Sequence, residues 1–447
     1  MKQLRNAVCA LLSTGLLNAC GGTHTIPSAS LAAPPIAPSL SRNLSSTETV
    51  LHSFNGDDGY YPTALVNVND TLYGTTEYGS NSACWSYVRC GTLYRIETSG
   101  SGYRVLHRFL SNDDGQIPVG ALADAGGAFY GTTRWGGDTH PCFADYPGCG
   151  TVFRIDLSGD RYRTIHRFNG RDGSDAFAGT VEVGGTFYGA TLTGGRWCRT
   201  TSQSGCGTIY SISPHGKETI LHSFAGSPDG GGPAFAPIDV DGTLYGVTNY
   251  GGDPRCIEKD AGVTGCGVLY KMSTSGKGYT ILYRFKGGED GAAPASLIDV
   301  NGMLYGNTFG GGETPCGSPR HKGCGTIYEI STSGKGHSVL HDFTAGTDGA
   351  LPDTLAYVNG ALYGTTTYGG GTPCQHGAGC GTVYAIGTSG NGYGVIYRFQ
   401  GGLDGANPDG KNRLVEIGGV LYGVTALGGG TGCQYSLGCG TVFSVMP

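Results

Sequence analysis

One pattern runs seven times through this chain, and its last copy stops one β-patterned run short. The pattern reads roughly LHxF, a short gap, DGxxP, an apolar run, LYGxT, GG, Cys, a second gap and CGTxY. Its phenylalanine recurs at Phe54, Phe109, Phe168, Phe224, Phe285, Phe343 and Phe399. Its Tyr-Gly-x-Thr element begins at Tyr73, Tyr130, Tyr188, Tyr245, Tyr305, Tyr363 and Tyr422. The first copy holds four short runs, residues 64–68, 71–77, 92–98 and 103–109, named A to D from the channel outward. Four short strands separated by turn residues in a repeat of this length are the signature of a propeller blade. The seventh copy supplies A, B and C and ends just after residues 441–445, whereas the orphan run TVLHSF at 49–54 matches the D pattern. The expectation is an all-β, seven-bladed β-propeller of four-stranded blades, closed by the N-terminal strand completing the last blade. Such closure removes the sheet edges that a linear array would expose.

Composition supports this reading. With 84 glycines in 447 residues, long helices are disfavoured, because each interior glycine costs up to about 1 kcal/mol relative to alanine. The A to B turns (Asn69-Asp70, Asn301-Gly302, Gly418-Gly419) have the chemistry of tight hairpins. A formal net charge of -6 leaves no surplus of cations for a phosphate backbone, so nucleic acid is excluded as a partner. A monomer is expected.

Residues 1–20 carry Lys2 and Arg5, then an apolar stretch over 7–17, then Leu17-Asn18-Ala19-Cys20. The stretch is too short to span a bilayer and reads as a secretory leader. Its ending resembles a bacterial lipobox, which makes Cys20 the lipidated first residue and the lipid anchor to the membrane. Residues 21–47, rich in Ser, Pro and Ala, read as a tether, and 48–447 as the propeller. Gly21 after the cysteine points to an outer-membrane lipoprotein of the cell envelope. An ordinary cleaved signal peptide would instead give a soluble secreted or periplasmic protein.

LYGTT at 72–76, GG at 136–137 and GTVF at 150–153 make the repeat similar to the GloVer-type tandem repeat of exported bacterial surface proteins. That resemblance covers 48–447. It implies an exported protein with an anchoring device and carries no catalytic residues to transfer.

Apart from Cys9 and Cys20, the fourteen remaining cysteines fall two per repeat in the B to C loops. The pairs are Cys84/Cys90, Cys142/Cys149, Cys198/Cys206, Cys256/Cys266, Cys316/Cys324, Cys374/Cys380 and Cys433/Cys439. An even count in an exported chain predicts disulfides. Spacers drifting from five to nine residues do not suit a zinc site.

The D to A connections and B to C loops share one face. Every D to A connection contains Asp-Gly: Asp58, Asp114, Asp172, Asp229, Asp290, Asp348 and Asp404. These carboxylates are expected to ring a channel mouth, as turn residues or, alternatively, as a calcium site; no other cofactor or metal is indicated. The His of LHxF alternates with Tyr283 and Tyr397, which points to packing rather than catalysis. Departures from the repeat are better pointers to a ligand. Trp85, Trp135 and Trp197 lie at or beside the first three B to C loops, with Tyr78, Tyr250 and Tyr368 at comparable positions, and exposed rings stack on sugars or anchor proteins. The third repeat reads Asp172-Gly173-Ser174-Asp175 without the proline, and the seventh carries an insertion with Lys411 and Arg413 near the channel mouth. No nucleophile elbow, phosphate loop or HExxH is present. The expected function is an envelope-anchored binding or scaffolding module that recognises a glycan or surface protein through the loop face. The alternatives are a glycan lyase or hydrolase using the mouth carboxylates and an inert structural surface repeat.

Overall fold

The computed structural model describes residues 47–447 apart from 80–89, 111, 138–140, 144–145, 199–204, 259–262, 315, 317–322, 373, 375–376, 409–412, 431 and 434–436. The leader, Cys20 and the tether up to residue 46 lie outside the described residues.

Seven antiparallel four-stranded sheets follow one another along the chain. In blade 1 the order is Tyr60–Val68 (A), Thr71–Tyr78 (B), Thr92–Glu97 (C) and Arg104–Arg108 (D). In blade 7, Val415–Ile417, Val420–Thr425 and Thr441–Val445 supply A to C, and Glu48–Ser53 supplies D. The closing register pairs Thr49 with Ser444, Val50 with Phe443 and His52 with Val442, leaving Leu51 as a bulge. Blade 1 repeats the geometry: Leu93 faces His107 and Tyr94 faces Val105, leaving Leu106 bulged. The ends of the chain thus build the same C to D joint that each other blade builds within one continuous segment. A seven-bladed β-propeller closed by its own leading strand is the result.

Strand A in blade 1 begins at Tyr60, earlier than the predicted 64–68, because the DGxxP segment itself pairs with strand B across a bulge. The residue before the proline position is left-handed in every blade: Tyr61, Ile117, Asp175, Gly232, Ala293, Leu351 and Asn407 have φ between 53° and 63°. That conformation turns its N–H toward the preceding blade. There it donates to the carbonyl of the second half-cystine at 2.8–3.1 Å: Tyr61 to Cys439, Ile117 to Cys90, Asp175 to Cys149, Gly232 to Cys206, Ala293 to Cys266, Leu351 to Cys324 and Asn407 to Cys380. Each disulfide loop is therefore stitched to the next blade through its backbone.

The core lies between blades. Phe54 of the closing strand packs with Tyr422 and Val442 of blade 7 and with Leu65 and Tyr94 of blade 1. All seven repeat phenylalanines are buried, each contributing about 1.5–3 kcal/mol by leaving water. The glycine of LYG is required by the aromatic ring of strand C: a Cβ on Gly246 would stand 2.2 Å from the Tyr270 hydroxyl oxygen.

Six disulfides close B to C loops among the described residues: Cys142–Cys149, Cys198–Cys206, Cys256–Cys266, Cys316–Cys324, Cys374–Cys380 and Cys433–Cys439, with Cα separations of 4.9–5.7 Å. Cys84, the expected partner of Cys90, lies outside them. The sequence places both cysteines of a pair in the B to C loop, and the structure adds that the second is buried there. Cys90, Cys149, Cys206, Cys266, Cys324, Cys380 and Cys439 are all buried and belong to the inter-blade cores. The reason is position: each stands immediately before the glycine that leads into strand C, where the carbonyl is drawn to the next blade and the sulfur packs as a small apolar group. These half-cystines are therefore core residues as well as staples, out of reach of a ligand. Bonds of this kind persist in oxidising, exported environments. No helix among the described residues is long and apolar enough to cross a membrane.

Candidate functional site

Strand B of blade 2, Ala128–Trp135, ends on the loop face with Arg134 and Trp135 side by side. The Arg134 guanidinium meets Asp175 of blade 3 through two parallel hydrogen bonds, Nε to Oδ1 at 2.7 Å and Nη2 to Oδ2 at 2.8 Å. It also lies over two rings, 4.7 Å from the Trp135 centroid and 5.0 Å from that of Phe177. Burial pulls this guanidinium's pKa down, but the Asp175 hydrogen bonds and charge, helped by Glu77 and Tyr78, more than offset it, and the net shift is upward. In blade 1, Tyr78 stacks on Tyr60 at 5.1 Å and meets Tyr61 edge-on at 6.1 Å. All of these rings are half-buried. The result is a group of partly accessible aromatic surfaces around one paired cation on blades 1 to 3. A bidentate Arg–carboxylate pair has fixed geometry and directional polarity, and rings beside it supply flat apolar area.

Of the sequence candidates, Tyr78 and Trp135 fall within this group. Trp197 stands apart and is 76% exposed, second only to Leu403 among the large apolar side chains of the described residues. Tyr250 and Tyr368 are instead packed against inter-blade cores. Trp85 and Lys411 lie outside the described residues. Arg413 donates from Nη2 to the Leu297 carbonyl at 2.8 Å, and so reaches strand A of blade 5 from blade 7, past blade 6. Protein surrounds its guanidinium while solvent still reaches it, and burial lowers its pKa from the ordinary value. It is thus an exposed cation tied at one nitrogen to strand A of blade 5.

The Asp-Gly carboxylates do not ring the channel mouth. Each caps the end of the preceding outer strand, accepting the N–H that follows the repeat phenylalanine: Asn55 to Asp58, Leu110 to Asp114, Asn169 to Asp172, Ala225 to Asp229, Lys286 to Asp290, Thr344 to Asp348 and Gln400 to Asp404, at 2.7–3.4 Å. The D-strand His or Tyr approaches the same carboxylate, as in His52–Asp58 at 2.9 Å, His222–Asp229 at 3.1 Å and Tyr397–Asp404 at 2.8 Å. Since D is the outermost strand, this places the carboxylates at the periphery. The sequence expectation followed the loop and missed the strand on which the side chain closes. The rings of His52, His107, His222 and His341 also stack on a tyrosine from the next blade's outer segment, His52 on Tyr103 at 3.7 Å and His341 on Tyr393 at 3.6 Å.

Sequence reasoning missed Arg134, Phe177, Tyr60 and Tyr61. A usable signal was present: the residue two before the first GG glycine runs Glu77, Arg134, Leu192, Asn249, Phe309, Thr367, Ala426 through the seven copies. Arg134 is the one cation in that series, and Asp175 in the proline-less copy is its partner.

A family model described as the Gloeobacter/Verrucomicrobia repeat matches residues 39–258 and 255–447. The chain belongs to that family. No curated protein matches it. Among solved structures, an oligogalacturonate lyase from Vibrio parahaemolyticus is similar at 9% identity with a TM-score of 0.55, covering 90% of this chain and 94% of the lyase. A GH74 xyloglucanase from Xanthomonas campestris is similar at 13% identity with a TM-score of 0.49, covering 78% of this chain and 46% of that one. At 9% identity the likeness to the lyase is one of fold alone.

Proposed function

We propose that this repeat protein is an exported binding module that recognises a glycan through the aromatic group on blades 1 to 3. The observation that carries the reading is the Arg134–Asp175 pair flanked by Trp135, Phe177 and Tyr78. Sugar faces stack on half-exposed rings, and their hydroxyls exchange hydrogen bonds with a fixed donor–acceptor pair. The propeller fold is shared with a lyase that, by its name, acts on oligogalacturonate. Turnover by the Asp-Gly carboxylates is disfavoured because those groups hold strand ends together. Lipidation at Cys20 and a tether over 21–47 would display the loop face from the outer membrane.

The test is a glycan array probed with the wild-type protein, with Trp135→Ala and Tyr78→Ala, and with Trp197→Ala as a comparison. Binding lost in the first two variants and kept in the third supports the reading. An array on which the wild-type protein shows no signal above Trp135→Ala rejects it, and capture of a surface protein by the same face would replace the glycan with the other class of ligand.

A further inference from the structure

The outer-strand slots that hold a His, an Asp and an aromatic ring in most blades change character at one place. The third partner, four residues before the next D-strand His or Tyr, is Tyr103, Tyr162, Glu218, Tyr279, His337, Tyr393 and Glu48 around the ring. Beside His166 it is Glu218, so the stacking ring is replaced by a second carboxylate. His166, Asp172 and Glu218 then bring one imidazole nitrogen and two carboxylate oxygens within 4.8 Å of one another. Among the described residues this is the sole cluster of three such ligand atoms. In the slot beside Tyr397, where Glu48 occurs, the phenol donates directly to Asp404 at 2.8 Å and no imidazole is present.

The site also contains polar atoms that the protein does not satisfy. His166 Nε2 and Glu218 Oε1 are both buried without a hydrogen-bond partner. His52 and His222, in the same slot of other blades, bond their aspartates at 2.9 Å and 3.1 Å. Buried polar atoms left unpaired cost about 1–3 kcal/mol each; His341 Nε2 and Glu48 Oε1 are unpaired in their slots too, but only here do two such atoms belong to three residues whose ligand atoms gather within 4.8 Å. His166 Nε2 stands 3.3 Å from Asp172 Oδ2, close to the edge of about 3.3–3.5 Å between ligands that bind tetrahedral zinc at about 2.0–2.1 Å. Asp172 is held in place by Asn169, whose backbone N–H bonds Oδ1 and whose side-chain amide bonds Oδ2, both at 2.9 Å. Such outer partners orient metal ligands. The side chains of His166 and Asp172 keep 15% and 13% of their surface exposed, which leaves a way in from solvent.

We propose that His166, Asp172 and Glu218 form a zinc site on the outer rim between blades 2 and 3. An imidazole with two carboxylates suits a first-row transition ion better than calcium, which prefers oxygen ligands throughout. Three protein ligands leave a fourth position for water or for an external donor. The site shares the Asp172-Gly173-Ser174-Asp175 connection with the aromatic group but none of its residues, and it does not depend on the glycan reading.

Zinc chloride is titrated calorimetrically into the chelator-stripped full chain, and bound zinc is counted by mass spectrometry after desalting. One zinc per chain is expected. Glu218→Gln and Glu218→Tyr should each weaken binding by at least about tenfold. The second of these installs the ring used by other blades, so its metal-free melting temperature should be no lower than wild type, which separates lost binding from lost folding. His222→Gln, in the equivalent slot between blades 3 and 4, should leave zinc binding unchanged. Absence of saturable zinc binding, binding that survives Glu218→Tyr, or tighter binding of calcium than of zinc would each overturn the proposal.

Discussion

Removing one Asp-Gly carboxylate tests whether these groups hold the blades or do chemistry. Asp229 accepts from the Ala225 backbone N–H at 3.1 Å and from His222 Nε2 at 3.1 Å. Hydrogen bonds to a charged group contribute about 1.5–3 kcal/mol each when buried. Side-chain exposures of 21% for Asp229 and 20% for His222 admit some screening, so Asp229→Ala is expected to cost roughly 2–4 kcal/mol in total. Asp229→Asn, which keeps an acceptor for the Ala225 N–H and loses the charge, should cost clearly less. Urea unfolding followed by circular dichroism reads both, and glycan binding is measured in parallel. A loss below about 0.5 kcal/mol would refute the clamp reading. Abolished binding or turnover with unchanged stability would hand the carboxylates back to a functional role.

Two further outcomes follow from the packing. The Tyr270 hydroxyl is fully buried without a hydrogen-bond partner, and the same position is Phe153 in blade 2 and Phe443 in blade 7. Tyr270→Phe should therefore leave stability unchanged or raise it by up to about 1 kcal/mol; a loss larger than that in urea unfolding would reveal a partner. Glu48, on the closing strand, has its pKa raised from 4.5 to about 7 by burial and then by the charge of Asp404. The folded state thus binds this proton more tightly than the unfolded chain. Its contribution to stability is full below about pH 4.5 and is lost as pH rises through about 7. Glu48→Gln should flatten that part of the stability profile between about pH 4.5 and 7 in thermal melts, and an unchanged slope would exclude Glu48 as its source.

The blade and its closure were legible because they depend on local patterns. LYGxT, the hairpin turns and the stray TVLHSF run each specify one strand or one joint, and the alternation of burial fixes register. Cysteine pairing was legible for the same reason, since both partners sit close together in the chain; the burial of the second partner, such as Cys266 against Phe285 and Leu304, was not, because the surface that covers it comes partly from the next blade. What the pattern hid lies between blades. Asp58 is followed by Gly59, which suggests a turn, yet it closes on His52 of the preceding strand, and its carbonyl accepts from Tyr103 at 3.2 Å across 45 residues. That meeting depends on how far one outer strand is staggered against the next, and no single repeat states it. Arg413 reaching Leu297 and Arg134 finding Asp175 are likewise contacts between non-identical repeats. Each is visible in sequence only as a departure from the repeat, without the identity of its partner.

The ring itself is tested most directly by cross-linking its seam. Thr49→Cys together with Ser444→Cys places two thiols at facing positions of the closing register. Mild oxidation and peptide mapping by mass spectrometry should give a bond joining positions 49 and 444. Thr49→Cys with Ser211→Cys, the matching place on strand C of blade 3, Thr208–Ile212, should give none. Failure of the 49–444 bond, or equal yield with position 211, would mean that the leading strand does not complete the last blade.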